Sequence, residues 1–128
     1  MACSYIKTGA QLVATNMDET EFTSSNRDLL IPDVGSLIRV ITDTTHSPVD
    51  DTIGKPSKFA FDVMTEEHGM ISPAECVMLG DQIVTDIQFG INCNMTTVLT
   101  LTGITTPSML EASVVKPSYV VDNLMNIL

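Results

Sequence analysis

The sequence predicts an α/β fold in which a parallel sheet carries helices on both faces. Two observations lead there. From Lys55 to the C-terminus, short apolar or β-branched runs alternate with segments whose apolar residues recur at helical spacing. Glycine or polar turns separate them, as in "ECVMLGDQ" and "TTVLTLTGIT". A hydrophobic content of 44% with only 17% charged residues is that of a folded chain, and 128 residues allow one modest core or pieces of two.

In chain order, "AQLVAT" is a strand candidate, and "NMDETEFTSSNRD" lacks periodicity and reads as a loop. Its acids, Asp18, Glu19 and Glu21, are expected on a solvated surface, although they could face a ligand. "PDVGSLIRVITDTT" sets Val34, Leu37, Ile38 and Ile41 at helical spacing, with Pro32 and Asp33 suited to the first turn. "HSPVDDTIGKPSK" has linker chemistry, which puts a boundary between two structural pieces near Pro48 to Asp51. "PSKFAFDVMTEEHG" reads as a helix with Pro56 at its start and Gly69 as its stop. "ECVMLG" follows as a strand, "TDIQFGINC" as a helix and "MTTVLTLTG" as a β-branched strand. "PSMLEAS" is a short helix, "SYVVD" a strand and "NLMNIL" a last helical turn.

Composition excludes several functions. A formal net charge of -10 repels nucleic acid and anionic membranes. No apolar stretch reaches signal-peptide or membrane-spanning character, so a cytoplasmic protein is expected. Cys3, Cys76 and Cys93 are odd in number and lack paired spacing, which argues against a disulfide framework or a zinc site. His46 and His68 are isolated, and Met64, Met70, Met78 and Met95 are expected to fill core gaps.

Two motifs carry chemistry. In "CVMLGDQIVTDIQFG", Asp81 and Asp86 are expected on the loop between a strand and a helix, the side of an open α/β sheet where ligands bind. Carboxylates there suit a metal ion or a phosphate-bearing substrate. In "GKPS", Lys55 stands just before an expected helix start, a poor place for a cation in helix energetics and a good one for holding a phosphate with backbone N–H groups.

The collinear series "ATNMD", "PDVGS", "GKPS", "GDQIVTDIQFG", "TVLTLTGITT" and "KPSYVVDNL" resembles the haloacid-dehalogenase-like phosphatases, in the p-nitrophenylphosphatase and phosphoglycolate phosphatase branch. The resemblance implies a partial Rossmann-like core over residues 51–128 preceded by a remnant of an α/β cap over residues 1–50. It implies that Lys55 is the phosphate-stabilising lysine of the third motif, and that Asp81 and Asp86 serve a Mg²⁺ site as the fourth. Asn16 and Asp18 fall in the cap's recurrent TNxD and are implied substrate-side contacts. Gln82, Val84 and Asp33 depart from the family's commoner residues. The implied substrate is a small phosphorylated metabolite.

The family's nucleophile is an aspartate in a DxDG motif, and a Ser or Thr motif follows it; this sequence holds neither. The resemblance places the first residues inside the cap, so the chain is expected to be inactive alone. "TSSN" at Thr23 to Asn26 lies in the wrong order for the second motif. The strand "ECVMLG" would then keep an open edge, and a homo-oligomer through that edge or the cap is expected. The alternative function is a non-catalytic, truncated homologue that binds or assembles. A phosphorylation-receiver domain fits less well, because its lysine follows the acids, whereas Lys55 precedes Asp81.

Overall fold

A computed structural model describes residues 1–23, 26–69 and 71–126. Met70, the serines of "TSSN" and the end of "NLMNIL" lie outside the described residues.

The sheet that positions the site contains β5 (Val77–Gly80), β6 (Thr96–Thr100) and β7 (Tyr119–Val121), all parallel and in that order. The middle strand, β6, is buried along nearly its whole length, which is why it reads as a continuous β-branched and leucine run. Leu99 has no exposed surface and packs with Ile83 and Ile87, with Leu101, Leu110 and Val115 around them. Burial on that scale contributes roughly 1.5–3 kcal/mol per large aliphatic side chain. Thr97 is also buried, and Ser118 pays its polar debt: the Ser118 N–H donates to Thr97 Oγ1 at 2.8 Å.

Helices flank the sheet. The chain leaves β5 through a single π-helical turn, Ile83–Ile87, and continues as α4 (Gln88–Asn92). In that turn the Ile87 N–H reaches the Gln82 carbonyl, five residues back, at 3.1 Å. Gly90 lets α4 lie close, since a Cβ there would collide with Thr97 and Met78. The helix α5 (Pro107–Ala112) is capped by Thr106, whose hydroxyl accepts from the Met109 N–H at 3.3 Å, with Pro107 at its first position. Among the described residues β5 pairs with β6 alone, and Val77 and Leu79 on this edge are 60% and 40% exposed.

The first part of the chain differs from expectation in several respects. The segment read as a loop holds an antiparallel hairpin of β2 (Thr20–Thr23) and β3 (Asn26–Pro32). Its alternation is masked by acids and serines, so cross-strand pairing decides the matter. After α1 (Ala2–Lys7), the expected strand is the short β1 (Val13–Ala14), which pairs in parallel with β4 (Asp51–Thr52) inside the presumed linker. The helix α2 (Val34–Thr45) forms as expected, but Pro32 closes β3 and Asp33 is the N-cap, accepting from the Val34 N–H at 2.6 Å. Of its apolar stripe Ile38 is buried and Leu37 is exposed. The helix α3 (Phe59–His68) starts later than Pro56 suggested: residues 54–58 form a turn closed by the Ser57 N–H on the Gly54 carbonyl at 2.9 Å. Among the described residues no helix is long and apolar enough to cross a membrane.

Candidate active site

Four segments distant in sequence meet at the carboxyl end of β5. Asp81 is the first residue after that strand. Asp86 was expected on the same loop, but the π turn takes it inward, where it is 4% exposed. Its carboxylate is fully engaged: Oδ2 accepts the N–H groups of Asp81 and Gln82, both at 3.0 Å, and Oδ1 takes Lys55 Nζ at 2.6 Å. Gly80 is required beside it, because a Cβ there would occupy the space of the Asp86 side chain.

Lys55 belongs to the turn before α3, not to the helix start itself. Three contacts fix that turn. The Ile53 N–H donates to the Ala14 carbonyl at 2.9 Å, and Gly54 lies so close to the Thr15 carbonyl that a Cβ would collide with it. Asn92 Nδ2 donates to the Pro56 carbonyl at 2.7 Å, and the Lys55–Pro56 peptide is cis. The ammonium thus sits between Asp86 and Asp18, whose Oδ2 is 3.7 Å away. Burial works to lower the Lys55 pKa, but the hydrogen bond and charge of Asp86, then the charges of Asp18 and Asp81, outweigh it and hold the value above the usual lysine range.

Asp18 is not on a solvated surface. It is 8% exposed, and its Oδ1 has no hydrogen-bond partner among the described residues. The Asn16 side chain holds the turn, its Oδ1 accepting the Asp18 N–H at 3.0 Å. Gly35 brings the start of α2 against this backbone: its N–H donates to the Asp18 carbonyl at 2.8 Å, and a Cβ would strike Met17 and Asp18. Glu19 and Glu21 do stay exposed, and Glu19 pairs with Arg39 at 3.2 Å.

Asp81 takes its orientation from the loop after β6. The Ile104 N–H donates to Asp81 Oδ2 at 2.7 Å, and the Thr105 N–H to the Asp81 carbonyl at 3.1 Å. Gly103 leaves room for the carboxylate, where any Cβ would overlap it. Asp81, Asp18, Asp33 and Glu21 line a cleft of about 340 Å³. Lys55, the Asp81 and Asp86 pair, and Asp18 with the Asn16 that holds its turn therefore lie together in the fold. Gln82, Asp33, Gly103 and Ile104 join them at the cleft; Asp33 was expected in the first turn of α2 and Gln82 only as a departure, and no sequence signal set Gly103 or Ile104 apart.

A hard cation takes oxygen ligands, and Mg²⁺ commonly uses one or two carboxylates with water and substrate phosphate completing the shell. Among the described residues no three His, Cys, Asp or Glu side chains form a metal cage. The arrangement fits the open kind of site, with the Asp81 carboxylate cradled by Gly103 and turned by Ile104.

The family model described as HAD-hydrolase-like matches residues 52–127. Glycerol-3-phosphate phosphatase of Homo sapiens is 42% identical over 98 residues, covering 77% of this chain and 29% of that protein. The 4-nitrophenylphosphatase of Thermotoga maritima superposes with a TM-score of 0.81 at 32% identity, over 98% of this chain and 46% of that one. Glycerol phosphate phosphatase of Mycobacterium tuberculosis, solved in complex with magnesium, shares the fold with a TM-score of 0.79 at 23% identity, over 98% of this chain and 37% of its own. The chain thus spans under half the length of each. With 76 of its residues inside the family model and phosphatases as its similar proteins, the chain belongs to the HAD-hydrolase-like family.

Proposed function

We propose that these residues form one half of a Mg²⁺-dependent phosphate monoester hydrolase site, acting on a small phosphorylated metabolite. The observation that carries it is the ion-paired cluster in which Lys55 joins Asp18 to Asp86, next to Asp81, with Asp18 and Asp81 both lining one cleft. In this reading residues 51–128 belong to the core and residues 1–50 to the cap, with Asn16 and Asp18 on the substrate side.

Lys55 carries the positive charge that holds a phosphoryl group and offsets charge developing on its oxygens. Its raised pKa keeps it protonated at neutral pH. Asp86 orients that ammonium with one oxygen and fixes the Asp81 and Gln82 amides with the other, so it supports the metal site without being a ligand itself. Asp81 supplies a carboxylate ligand. Bound Mg²⁺ would neutralise phosphate charge there.

Positioning and charge cannot replace a nucleophile, and none of the 128 residues stands in a DxDG context. The 128-residue polypeptide on its own is therefore proposed not to turn substrate over. Hydrolysis of p-nitrophenyl phosphate with and without Mg²⁺ tests this: no release of p-nitrophenol is expected. Mg²⁺-dependent release that disappears in Asp81→Asn would show a nucleophile within this chain and overturn the proposal. The open β5 edge, with Val77 and Leu79 exposed, supports a second reading in which this polypeptide assembles with another copy through that edge or through the cap residues. Three free cysteines suit a reducing cytoplasm.

A further inference from the structure

Lys55 is held by two carboxylates, and the two contacts differ in kind. Asp86 Oδ1 lies 2.6 Å from Nζ and accepts a hydrogen bond, whereas Asp18 Oδ2, at 3.7 Å, is beyond hydrogen-bond distance and attracts by charge alone. An ammonium carries three N–H donors, so Asp86 uses one and Asp18 uses none. Asp18 also borders the cleft beside Asp81, while Lys55 is absent from the cleft lining. An anion in the cleft thus meets the Asp18 segment before the ammonium. The two partners of this ion pair are not equally free to move. Asp18 is fixed through its backbone, whose N–H donates to Asn16 Oδ1 and whose carbonyl accepts from the Gly35 N–H. The Lys55 side chain keeps 37% exposure, and a long flexible stem lets its ammonium turn while the Asp86 bond stays in place.

We infer that Asp18 is an autoinhibitory partner of Lys55: its carboxylate competes with an incoming phosphoryl group for the ammonium, and phosphate binds by taking the lysine over from it. The inference rests on the phosphatase reading and adds to it a control on the lysine that reading uses. Asp18 then acts on a substrate through Lys55 and does not touch it, in keeping with an Oδ1 that is buried and has no hydrogen-bond partner among the described residues. Asp18 is the contact that gives way, since it holds the ammonium without a hydrogen bond, and Asp86 is the one that persists. A pair of unit charges about 4 Å apart, at a dielectric between those of water and a protein surface, changes an affinity by about tenfold or more.

The test is an amide chemical-shift titration of inorganic phosphate, in Mg²⁺, into the full 128-residue chain and into its Asp18→Asn and Glu21→Gln variants. Asparagine keeps the shape and the backbone contacts of Asp18 and removes its charge. Glu21→Gln removes a charge from the same cleft at an acid that is not paired with Lys55. Asp18→Asn is expected to bind phosphate about tenfold more tightly than the wild type, and Glu21→Gln about twofold or less. The amide spectrum reports whether each variant is folded; if Asp18→Asn is not, Asp18→Ser carries the same expectation. Phosphate binding that is unchanged or weaker without the Asp18 charge would overturn the inference and leave the site reading intact. Equal gains in the Asp18 and Glu21 variants would do the same, because the effect would then belong to the overall charge of the cleft. Absence of phosphate binding in the wild type and the variants alike would overturn both.

Discussion

Asp86 offers the most demanding test of how the site is held together. Its carboxylate is nearly inaccessible and makes three hydrogen bonds, two to backbone amides and one to the Lys55 ammonium. Asp86→Ala would leave the Asp81 and Gln82 N–H groups without their acceptor, and hydrogen bonds to a charged group are worth about 1.5–3 kcal/mol each. The ion pair adds less than a fully buried one would, because the Lys55 side chain keeps 37% exposure and can turn to Asp18 or to water. The alanine variant is expected to lose about 3–4 kcal/mol, a large part of the 5–15 kcal/mol typical of a domain. Asp86→Asn keeps an oxygen for the amides and gives up the ion pair, so its loss should be about 1–2 kcal/mol. Urea denaturation at neutral pH measures both. An alanine loss under about 1 kcal/mol, or equal losses in the two variants, would refute the claim that the amide bonds carry most of the stabilisation.

Other consequences follow from the same geometry. Gly103→Ala would drive a Cβ into the Asp81 carboxylate, so a loss of about 1–3 kcal/mol is expected, with weakened Mg²⁺ affinity measured by calorimetry. The folded Lys55 pKa lies above the unfolded value, so its contribution to stability is fully present below about pH 10 and is lost as pH rises through the folded pKa. The stability difference between wild type and Lys55→Met should accordingly shrink in urea titrations as pH increases above 10.5. If the β5 edge is the assembly surface, sedimentation velocity at micromolar concentration should show a dimer or larger species, and Val77→Lys should shift it towards monomer.

The core was legible because its signals are local. β6 is buried throughout and is β-branched and apolar throughout; α2 ends its approach at an aspartate cap and carries a periodic stripe. The lysine and the acid pair were legible as spaced motifs. The β2 and β3 hairpin was not, since "DETEFTSSNRD" has loop composition and its strands gain their identity from pairing, such as Phe22 with Leu30. The inward turn of Asp86 depends on a π turn that no residue type signals, and it is stabilised by partners that include a lysine far along the chain. The burial of Asp18 has the same origin. An acid in an acidic run reads as solvated until Lys55 and the Gly35 backbone are brought against it by the fold.

The most direct test of the whole account is calorimetric titration of inorganic phosphate into the 128-residue chain with and without Mg²⁺, repeated on Asp81→Asn and Lys55→Met. Binding that needs Mg²⁺ in the wild type and fails in both variants is the expected result. Phosphate binding that is indifferent to Mg²⁺ and survives both substitutions, or no phosphate binding at all, would contradict it.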